Sequence, residues 1–437
     1  MNPFVMLALL VSLNGFFAWT AARRFALLAA AKPEPRFSIE GDGLITRIRD
    51  TLIYALGQRK MPYYRVAGLA HMAIFGGFLV VQLNTIKIWT RGFVEDFDFF
   101  GLLALTNPFG IAYNVTKDLF SLLVLAGCAV FVYYRVVNVQ KRMTLGVEGL
   151  IILGIIAGMM LADLTYDGAN LALASLASGE PVHYSIVEPA GSVFGLVLGS
   201  LGLSEGALQV FRHAGFWIHA TLPLIFLNIL PYSKHFHIIT SFPNVFTRIQ
   251  KPNALPTIND LEGKVEREEP IGFVTVADLS WKDVLDLYTC TECGRCSDNC
   301  PAYTTDKKLS PKHVTLALRD HLLACEPVVI YKGTSSEPKP EEIGEVERHE
   351  MHHADPPKDA YFIPNQIVEL VPNVIDPDVV WACTTCRACE EQCPVMISYV
   401  DKFVQMRRNL VMMKNEFPAE LMKPFNGIET NGNPWNM

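Results

Sequence analysis

The stretch CTECGRCSDNCP, residues 290–301, is the most informative segment in the C-terminal half of the chain. A second stretch, CTTCRACEEQCP at residues 383–394, repeats its spacing. In each run three cysteines are separated by two residues, a fourth follows after three more, and proline comes next. This C-x2-C-x2-C-x3-C-P spacing is typical of [4Fe–4S] cluster binding, in which the fourth cysteine ligates the neighbouring cluster.

The spacing therefore predicts two crossed sets of ligands. Three thiolates on a tight turn hold three irons of one cluster, and the fourth cysteine begins a new segment that reaches the other cluster. The predicted ligands are Cys290, Cys293, Cys296 and Cys393 for the first cluster, and Cys383, Cys386, Cys389 and Cys300 for the second. The alternatives are a disulfide framework or structural zinc, but zinc ribbons use two pairs of ligands per metal.

The composition indicates a membrane protein with one domain in a reducing compartment. Of 437 residues, 50% are hydrophobic and 19% charged, which is too apolar for an ordinary soluble protein of this length. The net charge of −7 gives no indication of nucleic-acid binding. Eight of the ten cysteines lie in the two runs, which favours metal chemistry over secreted disulfides. Cys128 and Cys325 are interpreted as buried thiols.

Five apolar segments in the N-terminal half are long enough to cross a bilayer as helices. They cover residues of about 3–22, 66–89, 111–135, 146–168 and 208–231. A signal peptide is the alternative for the first segment, but its start lacks positive charge. Residues 43–56 predict an amphipathic helix on the membrane surface.

The predicted organisation is a transmembrane domain over residues 1–240, a linker over 241–270 and a cluster domain over 271–437. Helices are expected in the cluster domain at 279–288, 310–325, 362–371 and 396–415. Residues 333–358 contain several acids and His349, His352 and His353. We interpret this stretch as a solvated loop, with metal or partner binding as the alternative.

Lysine and arginine crowd the loops after the first, third and fifth spans, whereas residues 166–208 contain only acidic charges. The positive-inside rule then places the N-terminus outside a prokaryotic inner membrane and the cysteine domain in the cytoplasm. Residues 188–204 are apolar and could form a sixth span. Because a sixth span would export the cysteine runs, a re-entrant or surface segment on the outer side is preferred.

Several histidines lie in or beside the predicted spans. His71 is in the second span, His213 and His219 are in the fifth, and His235 and His237 follow it. Ionisable residues within spans are costly and usually functional. Several histidines on two spans beside an iron–sulfur domain favour haem, because two imidazoles can ligate haem iron axially.

The sequence here resembles known families. GLAHMAIFGGF (68–78) and WIHATLPLIFLNILPYSKHFH (217–237) resemble the haem b subunit of respiratory nitrate reductase and the related membrane subunit of heterodisulfide reductase. The two cysteine runs resemble the iron–sulfur part of heterodisulfide reductase-like proteins. The resemblance covers nearly the whole chain. It implies an all-α fold, with a five-helix transmembrane haem b bundle followed by a cytoplasmic ferredoxin-type domain.

In the nitrate reductase family, each of two spans supplies two histidines for two stacked haems. The resemblance implies His219 and His237 as the fifth-span ligands and His71 as one span-two ligand, with His71 and His237 around one haem. The remaining ligand position falls at Val81, which cannot ligate iron. The outer-loop His183 could pair with His219 instead, or a second haem is absent.

The resemblance also implies electron exchange with menaquinone or ubiquinone in the bilayer. Lys117 and Asp118, near the outer end of the third span, are the predicted quinone-site residues. The alternative is an interfacial pair whose side chains extend to water. The direction of electron flow is not fixed by the sequence.

A cytoplasmic redox partner is expected. Related fusion proteins continue into modules rich in Cys-Cys-Gly, and this chain has no Cys-Cys pair. It is expected to lack its own disulfide-reducing centre and to use a Cys-Cys-Gly subunit, an electron-transfer flavoprotein or a flavin dehydrogenase. The predicted function is a quinone-linked respiratory oxidoreductase subunit. The alternatives are a membrane anchor and electron wire without a quinone site, and a cluster-based redox sensor.

Overall fold

The computed structural model describes residues 2–39, 43–250, 255, 257–331 and 366–437. Across these ranges the chain is helical and forms no β-strand, so the predicted all-α fold is confirmed. In chain order the helices are α1 (Pro3–Ala30), α2 (Gly43–Asp50), α3 (Arg65–Arg91), α4 (Pro108–Val136), α5 (Val147–Ser178), α6 (Pro189–Ser200), α7 (Glu205–Ile229), α8 (His237–Phe246), α9 (Leu261–Glu266), α10 (Trp281–Thr289), α11 (Arg295–Asp298), α12 (Pro301–Thr304), α13 (Pro311–Ala324), α14 (Glu326–Tyr331), α15 (Leu370–Asn373), α16 (Pro377–Ala382), α17 (Ala388–Gln392), α18 (Val400–Arg408) and α19 (Met422–Asn431).

The chain divides into two compact units. The first contains Met1–Ala22 and Gln58–Ser233, and the second contains Arg23–Gly57 and Lys234–Met437. The sequence had grouped residues 23–57 with the membrane half, but in the structure they belong to the second unit. Ion pairs attach them there, since Arg24 contacts Glu326 at 2.5 Å and Arg36 contacts Asp401 at 2.7 Å.

Helices α1, α3, α4, α5 and α7 are long and apolar enough to cross a membrane, as predicted. The largest difference from the sequence-based bounds is in α5, which continues to Ser178 instead of ending near residue 168. Asp163 and Asp167 of α5 both contact Lys117 of α4, so the charged segment stays inside the bundle and the helix continues.

Small residues let the helices of the first unit approach closely. Helices α3 and α4 pack together, as do α5 and α7. A Cβ atom added at Gly77 of α3 would lie 2.2 Å from a methyl group of Val124. One added at Gly215 of α7 would lie 2.7 Å from the carbonyl oxygen of Ala162 in α5. Such contacts are the main packing device of membrane helices, which gain little from burying apolar surface against each other.

Helix α6 occupies the segment that could have formed a sixth span. It has 12 residues, which gives a length of about 18 Å. This is short of the roughly 30 Å of a bilayer's hydrocarbon core. Helix α6 packs against α4 and α5.

The second unit contains the cysteine runs. Its core is built from buried apolar residues of α10, α13 and α18 and the segments between them, including Leu287, Leu318 and Phe403. Cys325 is buried here, and Cys128 is buried in the first unit, which confirms the interpretation of both thiols. The predicted linker contains part of α8 and all of α9. Part of the predicted helix 362–371 lies outside the described residues, as do His349, His352 and His353.

Candidate metal centres

Each cysteine run begins where a helix ends and continues into a short helix. In the first run, Cys290 directly follows the last residue of α10, and α11 carries Cys296. In the second, Cys383 directly follows the last residue of α16, and α17 carries Cys389. The short helices α11 and α17 pack against each other. This arrangement brings the fourth cysteine of each run beside the first three of the other.

The turn between the second and third cysteines needs left-handed backbone in both runs. Gly294 has φ of +74° and Arg387, at the same position of the second run, has φ of +59°. Glycine adopts this conformation freely, whereas other residues do so at a cost. Arg387 is held there by ion pairs to Glu390 at 2.6 Å and to Asp401 at 3.0 Å.

The first cavity is lined by the complete first set of predicted thiols. These four residues are Cys290, Cys293, Cys296 and Cys393. Lys312 and Tyr399 also line it, together with the apolar side chains of Val395 and Ile397. The backbone N–H of Ile397 points at the sulfur of Cys393, at 3.5 Å.

The second cavity is lined by the complete second set of predicted thiols. These four residues are Cys300, Cys383, Cys386 and Cys389. Arg387 and Phe403 line it as well. The backbone N–H of Thr385 points at the sulfur of Cys383, at 3.4 Å. The structure therefore brings together the two predicted sets of thiols.

These two sites fit a cluster in their donor set. Thiolates are the usual ligands of a [4Fe–4S] cluster, and four of them surround each cavity. Among the described residues, no three His, Cys, Asp or Glu side chains converge as the ligands of a single metal ion do. A cubane holds its four irons at separate corners, so its ligands stand further apart than those of one ion.

Two of the predicted haem ligands have a fixed imidazole orientation. Nδ1 of His71, in α3, lies 3.2 Å from Oε1 of Gln58. Nδ1 of His237, at the start of α8, lies 2.9 Å from the carbonyl oxygen of Lys234. In each ring a proton on Nδ1 leaves the lone pair on Nε2, which is the usual arrangement of a metal-ligating histidine. The two residues belong to different units.

The other two predicted haem ligands differ from this arrangement. His219 of α7 is fully buried, with Nε2 3.2 Å from the hydroxyl of Thr85 and Nδ1 3.7 Å from Asp163. His183 is exposed in the segment between α5 and α6. The structure does not bring His183 and His219 together through any described contact.

The predicted quinone-site residues are buried inside the helix bundle. Lys117 is 1% exposed and Asp118 is fully buried, which does not match an interfacial pair extending to water. Lys117 forms ion pairs with Asp163 at 3.1 Å, with Asp118 at 3.4 Å and with Asp167. Sequence reasoning missed the role of Asp163 and Asp167, because they lie on a different helix about 50 residues away.

Comparison with known proteins adds the identity of the cysteine-containing region. Residues 286–397 match the family described as the 4Fe-4S dicluster domain. The chain contains a 4Fe-4S dicluster domain. The match includes both cysteine runs, so the chain is an iron–sulfur protein. No solved structure matches the chain.

Three curated relatives are similar to the chain beyond this domain. The EtfAB:quinone oxidoreductase of Syntrophomonas wolfei is 30% identical over 402 residues, covering 91% of this chain and 53% of the relative. The probable iron-sulfur-binding oxidoreductase FadF of Bacillus subtilis is 31% identical, covering 90% and 54%. A probable membrane-anchored ferredoxin of Chromohalobacter salexigens is 31% identical over 169 residues, covering 39% and 23%. The chain thus spans about half the length of the first two relatives.

A buried ionic group supports the dicluster domain, and sequence reasoning missed it. Asp286 of α10 accepts hydrogen bonds from Lys282 at 2.5 Å, from Lys402 of α18 at 2.8 Å and from the backbone N–H of Ser398 at 3.1 Å. Burial alone would raise the pKa of Asp286, but the two ammonium groups outweigh it and lower that pKa. The bond to Ser398 fixes the segment that lines the first cavity.

Burial also shifts the pKa of thiols in the dicluster domain. It raises the pKa of Cys290 in the first cavity and of Cys389 in the second well above the ordinary value of a thiol. Since the thiolate is the ligand, metal binding must displace these protons. Lys312 beside the first cavity and Arg387 beside the second place positive charge near the resulting anionic site.

Proposed function

We propose that the chain is a membrane-bound electron-transfer subunit that passes electrons from an electron-transfer flavoprotein in the cytoplasm to the quinone pool. The observation that carries this proposal is the sorting of eight thiols into two four-thiol cavities, in a chain with five membrane-length helices. The name of the Syntrophomonas relative supports the choice of donor and acceptor. A Cys-Cys-Gly subunit and a flavin dehydrogenase are the alternative donors.

A bound [4Fe–4S] cluster accepts and releases one electron at a time. The protein's own contribution is to hold each set of four thiols in a partly dry cavity and to place N–H groups and cations around it. Solvent exposure, net charge and hydrogen bonds to sulfur are the properties that set the potential of such a site. Tyr399, Val395 and Ile397 exclude water from the first cavity, while Lys312 offsets its negative charge.

We include haem b in the proposal; His71 and His237 are the residues that would hold it, and the haem would carry electrons. Each imidazole has Nδ1 next to an oxygen acceptor, so the nitrogen with the lone pair is Nε2. Nε2 of His219 instead lies beside the hydroxyl of Thr85. His183 is exposed. We therefore propose one haem rather than two.

The quinone site is proposed on the first unit, with Lys117 and Asp118 in its supporting structure. Quinone reduction consumes protons, and these residues belong to a buried ionisable network inside the helix bundle. Their burial also fits a second function, that of an anchor and electron wire. In that case the charges only hold helices together, and another subunit would react with quinone.

The positive-inside rule supports the proposed orientation, with the dicluster domain in the cytoplasm and the segment around α6 on the opposite side. This orientation gives a soluble flavoprotein access to the second unit. It also leaves the thiols in a compartment where disulfides rarely form.

Purified protein in proteoliposomes tests the function. Reduced electron-transfer flavoprotein should reduce both clusters, as followed by electron paramagnetic resonance, and a menaquinone analogue should then reoxidise them with formation of quinol. Clusters that the flavoprotein reduces but quinone does not reoxidise would favour the anchor and wire. Clusters that the flavoprotein leaves oxidised would remove it as the donor.

A further inference from the structure

A continuous polar network runs through the first unit among helices α3, α4, α5 and α7. At its centre, Lys117 of α4 contacts the carboxylates of Asp118, Asp163 and Asp167. All four side chains except Asp167 have at most 1% of their surface exposed. Ionisable groups at such depth in a membrane bundle are costly, and they are usually functional.

The network continues from Asp163 towards α3 and α7. Asn84 of α3 donates to Oδ1 of Asp163 at 2.6 Å. The same carboxylate lies 3.7 Å from Nδ1 of His219, whose Nε2 contacts the hydroxyl of Thr85 at 3.2 Å. The polar groups thus form a chain of short contacts across the four helices.

Several buried atoms of this network lack a hydrogen bond among the described residues. They are Oδ1 of Asn84, Oδ1 of Asp118, Oδ2 of Asp163 and Nδ1 of His219. The two carboxylate oxygens have Lys117 as an ion-pair partner but still have lone pairs to offer. Buried carboxylate oxygens with lone pairs to offer are expected to bind protons or water.

The other end of the network lies at the start of α6. Oδ2 of Asp118 accepts from the backbone N–H groups of Ala190 and Gly191, at 2.8 and 3.0 Å. Gly191 also lies close to two acids of other helices, Asp167 and Asp118, and comes one helical turn after Glu188. A Cβ atom added there would lie 3.2 Å from Cβ of Asp167 and 3.9 Å from both Cβ of Glu188 and Oδ2 of Asp118. Residues 179–181, which precede this segment, are exposed.

We propose that this network is a proton-transfer path that begins at Glu188, passes Asp118 and Asp167, and reaches Asp163 through Lys117. The inference rests on the proposed quinone function. Reduction of one quinone takes up two electrons and two protons to form quinol. The electrons come from the reduced clusters, and the path supplies the protons from the aqueous side next to α6.

Glu188 has the properties of a proton donor at neutral pH. Burial, followed by the nearby charge of Asp167, raises the pKa of its carboxyl group to about 7. The charged groups that face it are Asp167 on α5, Asp118 and Lys117 on α4 and Lys87 on α3. An acid with its pKa near the working pH is well suited to general acid catalysis.

A single-turnover experiment on the full chain tests the path without a protein donor. Protein in proteoliposomes is reduced with a limited amount of dithionite, freed of excess reagent and mixed with a menaquinone analogue. Cluster reoxidation is followed optically, and proton uptake is followed with a pH dye. Ferricyanide, which accepts electrons without protons, replaces the quinone in a parallel set. The variants are Glu188→Gln and Asp163→Asn, with Glu205→Gln, an exposed acid of α7, as the control.

In the natural sequence, quinone-driven reoxidation should slow as the pH rises through about 7, because the acid form of Glu188 is lost. Glu188→Gln should remove this inflection and slow the reaction by about 100-fold, the lower part of the range for general acid catalysis. Reoxidation by ferricyanide and the behaviour of Glu205→Gln should be unchanged. If Asp163→Asn fails to fold, Glu188→Gln at the edge of the network still provides the test.

Two results would overturn the path. In one, Glu188→Gln keeps the pH profile and rate of the natural protein, whether or not its thermal stability falls, which indicates a structural role. In the other, quinone fails to reoxidise the clusters of the natural protein although ferricyanide does so. That second result removes the proposed quinone function, and the path with it.

Discussion

The two cysteine-lined cavities share a spacing, a backbone turn and a crossed ligand, but they differ in exposure. In the first, Cys290, Cys296 and Cys393 are buried, whereas in the second Cys386 is exposed. The difference comes from the segment that follows the second run and from a turn within that run. Val395, Ile397 and Tyr399 line the first cavity, whereas Thr385 and Cys386 of the second run are exposed to solvent. The cysteine motif thus determines which residues ligate each cluster, and the surrounding segments determine how far solvent reaches these residues.

This difference suggests separate roles for the two sites. Electron exchange with a soluble protein requires close approach, so under the proposed function we expect the open second site to face the redox partner. The covered first site, with Lys312 and the apolar residues around it, is better shielded from water.

The largest effect is expected when the fourth cysteine of either run, which ligates the other run's cluster, is replaced by serine. Cys393→Ser should abolish the cluster held by Cys290, Cys293 and Cys296, although it lies in the other run. Cys300→Ser should likewise abolish the cluster of the second run. Iron content and electron paramagnetic resonance measure the loss. Cys325→Ala, which removes a buried thiol outside both cavities, should keep both clusters. If Cys393→Ser instead removed the cluster of its own run, the crossed assignment would be wrong.

The next effect concerns the support of the first cavity. Asp286→Ala leaves the buried Lys282 without its carboxylate and Lys402 with Asp283 alone, and removal of one partner of a buried ion pair typically costs about 3–5 kcal/mol. We expect cluster absorbance to be lost at a markedly lower temperature, with the first site affected before the second. Asp320→Asn, at a half-exposed ion pair of α13, is the matched control. Loss of both clusters at the same temperature would show that Asp286 does not stabilise the first site more than the second.

A smaller effect is expected at the second cavity. Arg387→Ala removes charge-assisted hydrogen bonds to Glu390 and Asp401 while keeping a side chain in left-handed backbone. Hydrogen bonds to charged groups contribute about 1.5–3 kcal/mol. The midpoint of thermal cluster loss should fall, but less than for Asp286→Ala. An equal or larger fall would show that the second site depends on Arg387 at least as much as the first depends on Asp286.

The smallest effect is expected at the equivalent turn of the first run. Gly294→Ala places a Cβ atom in left-handed backbone, which costs about 1–2 kcal/mol. No ion pair compensates at this position, because alanine has no charge to pair. The same thermal measurement checks it. An unchanged midpoint would mean that the turn can relax without glycine.

The sequence predicted the helices and the ligand sets better than it predicted their surroundings. Apolar runs and cysteine spacing are local signals, so the five spans and the two sets of thiols could be read directly. The partners of Lys117 could not, because Asp163 and Asp167 reach it only through the packing of α4 on α5. The same holds for Asp286 and Lys402, which are 116 residues apart.

The attachment of residues 23–57 to the second unit shows the same limit. The amphipathic pattern of residues 43–56 predicted a helix on the membrane surface, and such a pattern does not reveal which protein segment the helix packs against. In the structure, Arg36 contacts Asp401 and Arg24 contacts Glu326. Haem ligation by His71 and His237 stays a prediction from the sequence.

A redox titration of the purified protein by electron paramagnetic resonance tests the central claim most directly. The account predicts two reducible [4Fe–4S] centres that reduced electron-transfer flavoprotein reduces and that a menaquinone analogue reoxidises. A protein with only one such centre, or with two centres that stay reduced in the presence of quinone, would contradict it.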